Sequence, residues 1–314
     1  MRFGLKVASY PDEPPAGMNH WDLVQAMVET CEAHGFDSVW VNDHFMFRQA
    51  DPDAITPWLE CFVTLGAIAA ITERVKLGAL VAGIPYRNPA LFAKMSTTLD
   101  VISHGRSVVG IGAGWHKDEF DAYNWPFPSV KDRMEMLEEA TIILKQMMTE
   151  RASSVTGKHY TIREALNDPR PVQHPHPPIM IGGSGEKRTL RLVAQYADWC
   201  NVGGTVEDVA RLFDVLRRHC QDVGRPFDQI TRSIDFWGMV ARDEAEARQK
   251  RERYKFDGWI GTPEEWISLF RRYADVGVEA VTLSVPDAPK LEPIRLLGET
   301  VIRELMEVGE QPRA

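Results

Sequence analysis

Short runs rich in Val, Ile, Leu and small residues alternate along this chain with longer segments in which apolar residues recur at helical spacing. That is the pattern of parallel strands joined by crossover helices. Eight runs read as strands: Phe3–Ala8, Ser38–Val41, Val75–Val81, Ser107–Ile111, Ile179–Ile181, Trp199–Val202, Ile234–Val240 and Ala280–Val285. Each precedes a helical stretch, and eight β/α units of one direction close most naturally into an α/β fold of the (β/α)8 TIM-barrel type. The helices carry their own punctuation. Asn19 precedes an amphipathic run that stops at Gly35, and Thr262-Pro263-Glu264-Glu265 opens one that stops at Gly277.

One unit breaks the rhythm. After a short acidic helix near Glu119 and a long one over Lys131–Thr149, the polar, Pro-rich stretch 151–178 reads as an insertion after the fourth β/α unit. Its SVTGKHYTI core predicts a hairpin around Thr156-Gly157, and PRPVQHPHPP delivers an extended chain into the fifth strand. No composition break marks a linker, so residues 1–314 are expected to form one domain.

Composition narrows the function classes. A hydrophobic fraction of 44% over 314 residues is enough for a large core. A net charge of −9 with scattered Lys and Arg argues against a nucleic-acid partner, which needs a concentrated basic face. Cys31, Cys61, Cys200 and Cys220 are far apart with no CxxC pairing, so neither a disulfide framework nor a zinc site is indicated, and a reduced, cytoplasmic home is expected. The MRFGLKVASY start and the lack of a long apolar stretch predict neither export nor membrane insertion.

In such barrels the chemistry sits where the strands end at their C-terminal side. After the second strand, VNDHF places Asp43 and His44 there. A neighbouring carboxylate can orient an imidazole and set its charge, which makes His44 a proton shuttle; the plainer alternative is a pair that ties down a loop. The third strand runs into GALVAGIPYRNPALFAKM, whose Gly78 and Gly83 bracket small and β-branched residues against which a flat ring could lie; a buried strand and loop would look the same. In GIGAGWHKDEF, Gly110, Gly112 and Gly114 permit close approach of a ligand and Trp115 supplies a planar wall, while the dinucleotide fingerprint GxGxxG is absent. The strongest local signal is PPIMIGGSGEKRTLRL, which sets Gly182-Gly183-Ser184-Gly185 between a strand and a helix. Amides at a helix N-terminus, the Ser184 hydroxyl and the helix dipole all favour a phosphate, with Lys187 and Arg188 adding charge in the first turn; a solvated turn is the alternative. Trp237 reads as core, Glu60, Lys94 and Met95 as ordinary helix residues, and His174 and His176 have no third ligand beside them, so no metal site is expected.

Taken together, VWVNDHF, ITERVKLGALVAGIPYRNPALFAKMSTTLDVISHGR, VGIGAGWHKDEF and PPIMIGGSGEKRTLRLVAQYAD resemble the luciferase-like monooxygenase family, in particular its branch that uses the deazaflavin coenzyme F420. The late IGTPEEW and VGVEAVTLSV segments carry the resemblance nearly to the end of the chain. It implies that FMN or coenzyme F420 binds at the C-terminal mouth, with the phosphate near Gly183, Ser184 and Gly185 and Asp43 and His44 near the reactive edge of the ring. It further implies that the ring leans on a bulge at Leu80, Val81 and Ala82, with a non-prolyl cis bond at Leu80–Val81, and lies close to Gly112, Ala113, Gly114, Trp115 and Gly182. One departure stands out. The deazaflavin-dependent sugar-phosphate dehydrogenases of this family carry a carboxylate where this sequence has Trp115, so their proton donor is missing and their specificity is not carried over.

The leading expectation is hydride transfer between coenzyme F420 and a small organic substrate, with His44 moving the proton and Asp43 setting its charge. The alternatives are an FMN-dependent two-component monooxygenase using oxygen, and a non-catalytic binder of either cofactor. A homodimer, and a flavin or F420 reductase that supplies reduced cofactor, are the expected partners. The loops at Phe45–Thr56 and 151–178 contain no motif that names the substrate.

Overall fold

The computed structural model describes residues 1–7, 14–47, 56–254, 256 and 258–307. Along the chain run β1 (Arg2–Val7), α1 (His20–Ala33), β2 (Ser38–Val41), α2 (Cys61–Ile71), β3 (Lys76–Ala79), β4 (Ala82–Gly83), α3 (Pro89–Ile102), β5 (Ser107–Gly112), α4 (Lys117–Ala122) and α5 (Val130–Thr149). There follow β6 (Ala152–Thr156), β7 (Thr161–Leu166), β8 (Ile179–Gly182), α6 (Thr189–Tyr196), β9 (Trp199–Val202), α7 (Val206–Val223), β10 (Thr231–Val240) and α8 (Glu244–Tyr254). The chain finishes with β11 (Trp259–Gly261), α9 (Pro263–Asp275), β12 (Ala280–Ser284), α10 (Glu292–Leu296), a π-helical turn over Leu297–Ile302, and α11 (Arg303–Glu307).

Parallel pairing runs β1-β2-β3-β5-β8-β9-β10-β12 and returns to β1, which closes the expected eight-stranded barrel. All eight predicted strands are present, although the Ala8 end of the first lies outside the described residues. The seventh starts at Thr231 instead of Ile234, because the polar Arg232 and Ser233 hide its first turns of pleat from a hydrophobicity pattern. The third stops at Ala79, and the chain bulges at Leu80 and Val81 before resuming as β4 against β5. β11, a three-residue strand paired with the end of β10, was too short to read.

The helix signals act as expected. Asn19 and Asp22 form a capping box on α1, Thr262 and Glu265 form one on α9, and Gly35 and Gly277 take positive φ of 80° and 98° just past the helix ends. The segment 151–178 carries the antiparallel hairpin β6–β7, closed by Gly157 N–H donating to the Tyr160 carbonyl at 2.8 Å. The Glu139 carboxylate of α5 accepts the amides of Lys158, His159 and Tyr160, which fastens the hairpin tip to the barrel.

Beside a small patch of Met239, Ala241, Ala247 and Ile260, two apolar regions divide the packing among the described residues. The larger lies between the barrel and its helices. The smaller fills the barrel interior with Trp40, Val108, Met180, Trp199 and Ala280, Trp40 and Trp199 meeting edge to face at 5.6 Å. Gly4 makes room for Trp40, since a Cβ there would lie 2.5 Å from its indole nitrogen. With this plug in place, the ligand-sized space lies above it, where the strands end.

Candidate active site

A cleft of about 420 Å³ opens at the C-terminal ends of the strands, a volume suited to a small-molecule cofactor and part of its substrate. It is lined from seven of the eight barrel strands, by Lys6 on β1, Asn42 to His44 after β2, the bulge after β3, Gly112 to Trp115 at and beyond the end of β5, Gly182 and Gly183 at the end of β8, Asn201 on β9, and Asp235 and Trp237 on β10.

The bulge forms one wall. The Leu80–Val81 peptide bond is cis, as the motif comparison implied. Val81 fills the space that side chains on the neighbouring strands would need, because a Cβ on Gly112 would come within 2.7 Å of one of its methyls and a Cβ on Gly182 within 2.9 Å of the other. The glycines of β5 and β8 are therefore required by packing, and their bare backbone beside Val81 gives a surface with little relief. Ala82 differs from expectation: it is buried in β4 within the large core and does not line the cleft.

Asp43 and His44 both line the cleft, but they are not partners. The Asp43 carboxylate, buried, accepts two hydrogen bonds from the Arg87 guanidinium, at 2.6 and 2.9 Å, and one from the Gly83 amide at 3.0 Å. It is thus a clamp that ties β2 to the far side of the bulge. Burial alone would lower the Arg87 pKa, and the Asp43 carboxylate more than offsets it, so the guanidinium stays charged. The assignment of His44's charge to Asp43 is corrected accordingly.

His44 is held by Glu119 of α4, whose side chain is fully buried. Glu119 Oε2 lies 3.0 Å from His44 Nδ1 and accepts from the Tyr86 hydroxyl at 2.6 Å, while Oε1 accepts the amides of Phe45 and Met46. Burial pushes the Glu119 pKa up, but the bonds from His44, Tyr86 and Phe45 outweigh it and hold the pKa down to about 2. Burial and the same carboxylate push the Tyr86 phenol well above its usual range, so it remains a donor. An ionised carboxylate only accepts, which places the His44 proton on Nδ1 and leaves Nε2 as the second nitrogen. Trp58, Trp115 and His116 surround the imidazole, with ring centroids 5.4, 5.6 and 5.5 Å away. The acidic short helix was visible in the sequence, but nothing there joined a carboxylate 75 residues away to His44.

The other expected residues divide. Leu80, Val81, Gly112, Ala113, Gly114, Trp115, Gly182 and Gly183 line the cleft. Ser184 and Gly185 do not; they are exposed just beyond Gly183, and α6 begins only at Thr189. Lys187 and Arg188 precede that helix instead of forming its first turn. Trp237, expected in the core, is 58% exposed and lines the cleft, with Lys6 over its ring at 5.7 Å. Glu60 caps α2 by accepting the Val63 amide, and Lys94 donates to the Asp168 carbonyl. Lys6, Asn201, Asp235, Tyr86, Glu119 and His116 were missed as site residues. Among the described residues, two groups have ligand atoms close enough to hold a metal, His44 with His116 and Glu119, and Asp132 with Glu135 and His159. In the first, His44 Nδ1 and Glu119 are already hydrogen-bonded to each other, and in the second Lys158 places its ammonium on both carboxylates.

A parallel barrel with its cleft at the strand ends, lined by glycines, a bulge and a carboxylate-held histidine, defines the class of protein. The profile of the luciferase-like monooxygenase family matches residues 1–281, and the chain belongs to that family. An F420-dependent glucose-6-phosphate dehydrogenase from Kineococcus radiotolerans is 33% identical over 220 residues, covering 69% of this chain and 63% of that protein. Among solved structures, an F420-dependent secondary alcohol dehydrogenase in complex with an F420-acetone adduct superposes with a TM-score of 0.80 at 19% identity, over 95% of this chain and 97% of the other. The EDTA monooxygenase of Chelativorans sp. BNC1 superposes at 0.84 with 14% identity, over all of this chain and 95% of the other. These two likenesses speak for the fold.

Proposed function

We propose that this protein is an oxidoreductase that passes a hydride between coenzyme F420 and a small organic substrate. The observation that carries the reading is His44, fixed at Nδ1 by the buried carboxylate of Glu119, on the wall of a cleft whose neighbouring strand ends are glycine beside Val81. The resemblance to an F420-dependent dehydrogenase supports the choice of coenzyme. The residues fit a flat, partly polar ring: Val81 and the bare ends of β5 and β8 offer an apolar platform, and the buried Asn42 Oδ1 has no hydrogen-bond partner among the described residues.

Bound there, the deazaflavin would supply the hydride. The chain's own residues do the rest. Asp43 and Arg87 hold the bulge in place, and Gly183, Ser184 and Gly185, with Lys187 and Arg188 beyond them, meet the anionic tail at the open end of the cleft. His44 exchanges a proton with the substrate at Nε2 while Glu119 keeps Nδ1 protonated, a division of labour that replaces the carboxylate missing at Trp115. Reduced coenzyme would come from a separate reductase.

Equilibrium titration with coenzyme F420 and with FMN, side by side, tests the reading. Coenzyme F420 should bind and FMN should bind at least about tenfold more weakly, a difference of about 1.4 kcal/mol. Tighter binding of FMN with oxygen-dependent turnover would replace the reading by a flavin monooxygenase, and tight binding without turnover by a binding protein. In the same assay His44→Ala should lower turnover by about 100-fold or more, the scale of a lost general acid, with coenzyme affinity nearly unchanged.

We also propose that a second copy of the chain covers α2 and α3. α2 is apolar on all sides although it lies on the barrel's exterior, leaving Val63 and Ile71 exposed, and Leu91, Thr98 and Ile102 form an exposed stripe at helical spacing on α3.

A further inference from the structure

The wall that faces the bulge says what kind of substrate would lie on the ring. In the closed order of eight strands, β10 lies four steps from β3 in either direction, so the residues at its end confront the bulge across the mouth. Those residues are Asp235 and Trp237, with Lys6 reaching in from β1. Lys6 is the only lysine or arginine lining the cleft among the described residues, and it is bound to Asp235 at 2.9 Å. Asp235 Oδ1 is buried and has no hydrogen-bond partner there, so the carboxylate is not neutralised by any further cation. Asp43 is likewise spent on Arg87. An anionic substrate would thus meet a paired lysine and two carboxylates, with no other lysine or arginine lining the cleft among the described residues. Two large aromatic surfaces border the cleft, Trp237 at 58% exposure beside that pair and Trp115 at 63% beside His44, on a protein whose other tryptophans are mostly buried or half-buried. Exposed indoles at the rim of a cleft are unusual unless something packs on them.

We propose, resting on the reading above, that the substrate is an uncharged, largely apolar ketone or the corresponding secondary alcohol, packed against Trp237, and that the Lys6–Asp235 pair excludes phosphorylated and carboxylated compounds. In the reducing direction the carbonyl carbon gains the hydride from the reduced coenzyme. The carbonyl oxygen gains the proton from His44 Nε2, so the C=O double bond becomes a C–H and an O–H bond and the coenzyme is oxidised by two electrons. The reverse direction returns the hydride to the coenzyme and the proton to His44.

The test is a binding measurement on the full chain loaded with oxidised coenzyme F420, using acetophenone as the neutral probe and benzoylformate and glucose 6-phosphate as anionic ones. Acetophenone should bind at least about tenfold more tightly than either anion. Trp237→Ala should weaken acetophenone about tenfold while Trp237→Phe retains most of the affinity, and coenzyme affinity, titrated first for each variant, certifies that the cleft is intact. Asp235→Asn, which removes the carboxylate charge beside Lys6, should instead tighten benzoylformate several-fold. Tighter binding of either anion to the unaltered protein, no detectable acetophenone binding, or an acetophenone affinity indifferent to Trp237→Ala would overturn the proposal. The coenzyme titration separates the two layers of inference: if coenzyme F420 does not bind, the proposed function fails, and if it binds while acetophenone does not, only the substrate class fails.

Discussion

At the scale of single residues, the site turns on two buried carboxylates that the sequence does not distinguish by role. Asp43 adjoins His44 in the chain, yet it points to Arg87 and Gly83, whereas Glu119, far along the chain, holds the imidazole. Neighbours on an extended chain project to opposite sides, which is why adjacency was a poor guide. The Glu119 pKa gives this a thermodynamic signature. A carboxyl held at about 2 instead of the usual 4.5 stabilises the fold by on the order of 3 kcal/mol, at about 1.4 kcal/mol per pKa unit. Because the folded-state pKa is the lower one, that contribution is fully present above the unfolded value and is lost as pH falls from about 4.5 towards 2. Glu119→Gln should accordingly be less stable than the unaltered protein at pH 7 in urea denaturation, and the gap should narrow steadily below about pH 4.5. A gap that does not change with pH would show that Glu119 is not ionised in the folded protein.

At the scale of elements, the bulge between β3 and β4 and the glycines that receive it form a single packed device. Gly110 faces the Ala79 carbonyl, where a Cβ would come within 2.0 Å, and Gly112 and Gly182 accept the two methyls of Val81. Gly112→Ala should overpack this joint, costing about 1–3 kcal/mol of stability. The double variant Val81→Ala/Gly112→Ala returns the needed space, so it should recover much of the melting temperature lost by the single one, a coupling that residues in contact show and distant ones do not. Additive losses would mean that Val81 and Gly112 do not share this volume. The glycines were legible in the sequence as an alternating string, and the fold explains them by close packing against Val81 as much as by ligand approach. The phosphate loop was legible only in part, since the helix that was to supply its dipole starts four residues after Gly185. A run of polar residues gives no periodicity from which to place a helix start.

At the scale of the whole molecule, the proposed pairing through α2 and α3 predicts a dimer in solution. Substituting Val63→Glu together with Leu91→Glu, both on exposed positions, should yield a folded monomer by light scattering, with the far-ultraviolet circular dichroism unchanged. A monomeric unaltered protein would remove the proposal. The number and direction of the barrel strands, the capped helices and the presence of chemistry at the strand ends were set by local patterns of apolar, small and capping residues, because those patterns repeat along the chain and need no distant partner to be read. Which carboxylate holds His44, why Trp237 faces the cleft instead of the core, and that Lys6 is already matched by Asp235 were decided only when the sheet closed. Closure brings side chains separated by up to 229 residues within hydrogen-bonding distance, and no sequence period records that distance.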